Sequence, residues 1–269
     1  MTMAEPQGDF IWYELMTDDV EAAGRFYGDV VGWRFASENS APQGTVDYRM
    51  IERSDGKMAG GVLALTPEMK DGGARPGWFG YVHTPDVDGA AKRFVDEGGT
   101  MFIEPHDMPG VGRIAFLSDS QGAPIYMMKP QPPSGDADAQ SDVFSVDQPQ
   151  RCRWNQLMTT DTGAALALYR EVFGWGQEGG MPMGEMGDYL FLQNGDVTFG
   201  ALMPKMDDVP APVWSYFFGV DDIDRAAKAV QARGGRLDTP IQEIPGGEFS
   251  VHCFDPQGAG FGLVGPRKE

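Results

Sequence analysis

Residues Trp12 to Trp33 read WYELMTDDVEAAGRFYGDVVGW, and residues Trp154 to Trp175 read WNQLMTTDTGAALALYREVFGW. Laid side by side without a gap, the stretches share Trp12/Trp154, Leu15/Leu157, Met16/Met158, Thr17/Thr159, Asp19/Asp161, Ala22/Ala164, Ala23/Ala165, Tyr27/Tyr169, Val30/Val172, Gly32/Gly174 and Trp33/Trp175. An internal repeat of this density, with two tryptophan pairs at fixed spacing, sets the architecture before any local propensity does. The pattern predicts a strand over Trp12–Thr17, a cap at Asp18 with Glu21 in capping-box spacing, and a helix whose stripe is Val20, Ala23, Tyr27 and Val30. Gly32 suits the left-handed position that ends the helix. Side chains alternate along a strand, so Trp12, Glu14 and Met16 share one face, and the second copy places Gln156 where the first has Glu14.

Working outward, Asp47–Glu52 and Gly60–Leu65 flank a Ser54–Lys57 turn and read as a hairpin. Pro67 to Pro76 reads as a polar connection. A new unit then begins: a strand from Trp78, a helix over Asp86–Glu97 stopped by Gly98–Gly99, and strands at Met101–Ile103, Arg113–Leu117 and Ile125–Met128. Thr17, Asp19, Val20 and Ala23 match Thr84, Asp86, Val87 and Ala90, a register that sets Glu14 against Tyr81 and Trp12 against Phe79. The second half repeats this unit too, with Trp214, Asp222, Gly234, Gly235, Asp255, Gln257, Gly258 and Ala259 matching Trp78, Asp86, Gly98, Gly99, Asp119, Gln121, Gly122 and Ala123. The expected fold is α+β: two tandem domains, residues 10–130 and 151–267, each of paired βαβββ modules curving a sheet around a cleft. Residues 1–9 read as a loose tail, and the proline-bearing stretch 131–150 as an extended, mobile linker.

Composition bounds the partners. The 269 residues carry 21 Lys+Arg against 40 Asp+Glu, a formal charge of −19, which repels phosphate backbones and anionic lipids. Nucleic acid and membrane are therefore not expected partners, and a small-molecule ligand on a monomer or homodimer is. Two cysteines, Cys152 and Cys253, make no disulfide framework. Residues Met1 to Asp9 lack the apolar core of a signal segment, and the expected location is cytoplasmic.

The paired modules, the A-x-x-F-Y-x-x-V-x-G-W helix end from Ala23 to Trp33, and the D-[PS]-Q-G-A turn at Asp119–Ala123 and Asp255–Ala259 resemble the vicinal oxygen chelate superfamily, which includes glyoxalase I, bleomycin-resistance proteins and extradiol dioxygenases. In its metal-using members the resemblance implies a divalent ion held by His, Gln or Glu on the first strand of a module and by Glu on the last. Carried over position by position, the first domain offers Glu14, Tyr81 (with Trp78 and Phe79 beside it) and Tyr126, and the second offers Gln156, Phe217 and Gly262. Each cleft keeps at most one ordinary ligand, so no metal residue and no cofactor is assigned. Glu14 is the catalytic candidate, since a carboxylate desolvated beside Trp12 would rise in pKa and could act as acid or base. Trp12, Met16, Trp78, Tyr81, Tyr126, Trp154, Gln156 and Phe217 are the ligand-binding candidates, because aromatic walls with a few polar groups suit a small apolar or aromatic molecule. Core filling explains the same aromatics nearly as well. Three functions stay open at this point: a binding protein without a full metal set, a metal-dependent lyase, isomerase or dioxygenase, and a metal-free enzyme using Glu14.

Overall fold

A computed structural model describes residues 5–41, 46–131 and 139–268. The first half of the chain runs β1 (Phe10–Thr17), α1 (Val20–Val30), β2 (Arg34–Phe35), β3 (Tyr48–Glu52), β4 (Met58–Ala64), α2 (Pro67–Asp71), β5 (Gly77–His83), α3 (Val87–Asp96), β6 (Met101–Met108), β7 (Gly112–Ser118) and β8 (Pro124–Pro130). The second half runs β9 (Cys152–Thr159), α4 (Thr162–Phe173), β10 (Gly176–Pro182), β11 (Asp188–Asn194), β12 (Val197–Pro204), β13 (Val213–Gly219), α5 (Ile223–Ala232), β14 (Arg236–Leu237), β15 (Gln242–Ile244), β16 (Glu248–Phe254) and β17 (Gly260–Gly265). Few helices among many strands make this an α+β protein, as expected.

Each module has the same wiring. Its first strand pairs in parallel with its last, as in Glu14↔Gly61 on β1 and β4, Tyr81↔Tyr126 on β5 and β8, Gln156↔Ala201 on β9 and β12, and Phe217↔Gly262 on β13 and β17. A parallel pair needs a crossover, and the helix after the first strand supplies it. Aspartate begins each of these four helices: Asp19, Asp86, Asp161 and Asp222 accept backbone N–H groups of the first turn. The cap of α1 is Asp19 and not the expected Asp18, whose carboxylate instead pairs with Lys70 at 3.1 Å. Gly32 takes φ +89° as expected, and Gly174 matches it at +80°.

By packing, the chain forms two compact units. One comprises residues 1–11, 80–141 and 154–214, and the other residues 12–79, 142–153 and 215–269. In the first, α3 packs against α4 over Phe94, Tyr169, Phe173, Trp175 and Trp214. In the second, α1 packs against α5 over Phe26, Tyr27, Trp33, Trp78 and Phe218. The repeated turn locks each unit by the same bonds. Tyr169 Oη accepts from Trp214 Nε1 at 3.2 Å and donates to Asp119 at 3.0 Å. Tyr27 Oη accepts from Trp78 Nε1 at 2.9 Å and donates to Asp255 at 3.1 Å. Gln257 Oε1 accepts the backbone N–H groups of Asp18 and Asp19 at 2.8 and 2.7 Å, just ahead of α1. Gln121 holds Thr159, Thr160 and Asp161 in the corresponding way ahead of α4. The D-x-Q-G-A motif is therefore a clasp on a neighbouring helix start.

Several local expectations change. Residues 5–9 are tied down in the first unit: Gly8 N–H donates to His83 O at 2.9 Å, and Gly8 O accepts from Trp175 Nε1 at 2.8 Å. Residues 1–4 and 132–138, parts of the expected tail and linker, lie outside the described residues. The end of the linker is anchored within the second unit. Val143 is buried, Asp142 pairs with Arg53 at 2.8 Å, and Gln150 accepts from Trp33 Nε1 at 2.9 Å. The 67–76 connection contains α2, capped by Thr66, and β6 runs on through Pro105 to Met108.

Candidate ligand-binding faces

Alternation along β1 turns Tyr13 and Leu15, both fully buried, into the core of the second unit, and Trp12, Glu14 and Met16 to the other face. Tyr48 on β3 completes that face. Its hydroxyl accepts from Trp12 Nε1 at 2.8 Å and is hydrogen-bonded to the Glu14 carboxylate. Because the indole N–H can only donate, the tyrosine proton points to Glu14. Glu14 is 3% exposed. Burial pushes the Tyr48 phenol well above its ordinary range, and the negative charge of Glu14 adds to the shift. Tyr48 is thus a neutral donor and holds the carboxylate in one orientation. Gly61, opposite Glu14 on β4, makes room for it: a Cβ there would overlap the Tyr48 hydroxyl.

The first unit carries the same device on β9 and β11. Trp154 Nε1 donates to Tyr189 Oη at 2.6 Å, and Tyr189 donates to Gln156 Oε1 at 2.9 Å. Phe191 meets Trp154 edge-on, with ring centres 6.1 Å apart. Burial raises the Tyr189 phenol, and the bond from Trp154 opposes the rise. Opposite Gln156 stands Ala201 in place of a glycine. Tyr48 and Tyr189 were not among the sequence candidates, although both follow an aspartate at a strand start, Asp47-Tyr48 and Asp188-Tyr189.

The other candidates lie on the second and fourth modules. Tyr81 stacks on Tyr126 with ring centres 4.0 Å apart and planes 3° off parallel, Tyr126 on Phe116 at 4.2 Å, and Phe116 leads to the half-exposed Phe102 at 5.2 Å. Phe217 meets the edge of His252 at 4.6 Å and covers Gly262, where a Cβ would overlap its ring. Trp78 does not join a ligand face. It is adjacent to Phe79 and so points the opposite way, into the core against Tyr27, Trp33 and Phe218. Burial lowers the His252 pKa and pushes the neighbouring Cys253 thiol up to about 12, so the thiol is no nucleophile at ordinary pH. A cavity of about 560 Å³ in the second unit is lined by Gly32, Arg53, Gln150, Arg151 and Arg225 and by none of the face residues. Its charges are already satisfied, Arg53 by Asp55 and Asp142, and Arg225 by Asp221.

The divalent ion implied by the resemblance is testable on these side chains. A metal needs several O or N donors converging. At the corresponding positions the structure puts stacked phenol rings at Tyr81 and Tyr126, and a phenyl ring over a glycine at Phe217 and Gly262. Among the described residues no three His, Cys, Asp or Glu side chains cluster as metal ligands. The donor set does not fit the ion, and no chemical step is derived through it.

A family model described as the glyoxalase/bleomycin resistance protein/dioxygenase superfamily matches residues 10–126 and 151–263. The chain belongs to this superfamily. Its sequence carries two tandem domains of the glyoxalase fold, and it contains no helix long and apolar enough to cross a membrane among the described residues. CFP32 of Mycobacterium tuberculosis, a protein named as a glyoxylase, is 31% identical over 98% of this chain and 97% of its own. The anthracycline biosynthesis protein DauV of a Streptomyces species is 29% identical over 96% of this chain and 93% of its own. Among solved structures, the Mn(II)-bound glyoxalase of Novosphingobium aromaticivorans has a TM-score of 0.64 at 13% identity, over 98% of this chain and 84% of that one. The 2,3-dioxygenase LapB of Pseudomonas has a TM-score of 0.63 at 13% identity, over 98% and 94%. At such identities these structures speak for the fold alone.

Proposed function

We propose that this glyoxalase-superfamily chain binds a small, flat aromatic molecule bearing a polar substituent, and does so without a metal. The observation that carries this reading is the repeated hydrogen-bonded face, Trp12–Tyr48–Glu14 in one unit and Trp154–Tyr189–Gln156 in the other. Each offers an aromatic wall and one polar group held in place by a phenol that burial keeps neutral. Such a site binds a ring by stacking and orients it by one bond. The Tyr81–Tyr126–Phe116 stack supplies further aromatic surface. The likeness to proteins named for anthracycline biosynthesis supports a fused-ring ligand class. A second reading, Glu14 as the acid–base of a metal-free enzyme, is favoured by its burial and its bond from Tyr48.

Titration of intrinsic tryptophan fluorescence with naphthalene-sized ring compounds tests the proposal. Saturable quenching that weakens about tenfold in Trp12→Ala or Trp154→Ala is expected; the absence of saturable binding would overturn it. Turnover abolished by Glu14→Gln, with binding retained, would decide for the second reading.

A further inference from the structure

The two faces share a scaffold but not a polarity. In both, a tryptophan N–H occupies one lone pair of a tyrosine hydroxyl, so the tyrosine proton is delivered to the side chain at position 14 or 156. At Glu14 the receiver is a carboxyl group, which offers oxygen atoms and no N–H. At Gln156 the receiver is an amide whose oxygen accepts the Tyr189 proton at 2.9 Å. That bond fixes which way the amide points and leaves Nε2, with its two hydrogens, as the group turned away from Tyr189. Gln156 is 6% exposed, and the amide hydrogens of Nε2 are the donors that this face can offer. A ligand acceptor that meets this donor gains about one hydrogen bond.

We infer that the Glu14 face selects ring compounds carrying a hydroxyl donor, a phenol or enol, whereas the Gln156 face selects ring compounds carrying a carbonyl acceptor. The inference rests on the proposed binding of aromatic molecules and names the substituent each face reads. A molecule with both groups, a hydroxylated aromatic ketone, carries a group suited to either face. The backbone fits the assignment: Tyr48 leans over Gly61 to reach the carboxylate, whereas Ala201 stands opposite Gln156.

Calorimetric titration with two probes of one ring system tests this. 2-Naphthol presents a hydroxyl, and 2-acetonaphthone presents only an acceptor. Glu14→Gln should weaken 2-naphthol about tenfold and leave 2-acetonaphthone within about twofold, the loss of one hydrogen bond. Gln156→Glu should do the reverse. Tyr189→Phe keeps Gln156 but removes the donor that orients it, and should weaken 2-acetonaphthone alone. Equal weakening of both probes by either exchange, or no change in any variant, would overturn the polarity assignment while leaving aromatic binding standing. Failure of both probes to bind the wild-type chain would remove the parent reading and this inference with it.

Discussion

The face around Glu14 and the face around Gln156 differ by one chemical group on a common frame. In both, a strand tryptophan, a tyrosine two strands away in the same module and a buried polar side chain form one hydrogen-bonded series. The frame is what the repeat preserves; the handle is where it departs, carboxylate in one copy and amide in the other. The lesson is that chemistry here sits at a single strand position, while the surrounding bonds keep that position oriented. The cores behind the faces are alike down to the Tyr27–Asp255 and Tyr169–Asp119 bonds, so the contrast is local to the faces.

The strongest way to break the comparison is to remove the core behind one face at a time. Trp33→Ala or Trp175→Ala deletes a buried indole that packs on several aromatic rings, and each should cost about 3–5 kcal/mol in urea unfolding. A cost below about 1 kcal/mol for either would show the two cores to be unequal. Next, Gly61→Ala pushes a methyl group into the Tyr48 hydroxyl and should cost about 1–3 kcal/mol while breaking the Tyr48–Glu14 bond. Ala201→Gly removes a methyl group on the other face, should cost about 1 kcal/mol or less, and leaves the Tyr189–Gln156 bond intact. Tyrosine fluorescence and unfolding midpoints report both.

The smallest expected effect is in pH. Burial lowers the pKa of His83, in one unit, and of His252, in the other, from 6.5. A histidine with a depressed folded pKa prefers to stay neutral in the fold. Its contribution is full above about 6.5 and is lost as pH falls below that value. The melting temperature should therefore fall between pH 7.5 and 5.5, and His83→Gln or His252→Gln should flatten the fall. An unchanged slope in both variants would contradict the assignment.

Much of this was legible in the sequence. The Trp12–Trp33 repeat gave the modules, the helix stripes and Glu14 against Gln156, because periodic burial leaves a periodic pattern. Tyr48 and Tyr189 escaped because their separation, 189 − 48 = 141, is one less than that of Trp12 and Trp154, 154 − 12 = 142. A gapless comparison slips past them, although each follows an aspartate. Trp78 was misplaced for want of strand parity, since its neighbour Phe79, not Trp78, shares a face with Tyr81. The pairing of modules into compact units was not legible, because it depends on long-range bonds such as Gln257 to Asp18 and Asp19.

The most direct test of the account is calorimetric titration of chelator-dialysed protein with 2-naphthol, repeated after adding Mn(II). The account predicts saturable binding to the metal-free chain, weakened by Glu14→Gln and unchanged by the ion. No binding until Mn(II) is supplied, with Glu14→Gln abolishing that rescue, would contradict it and assign the face to a metal.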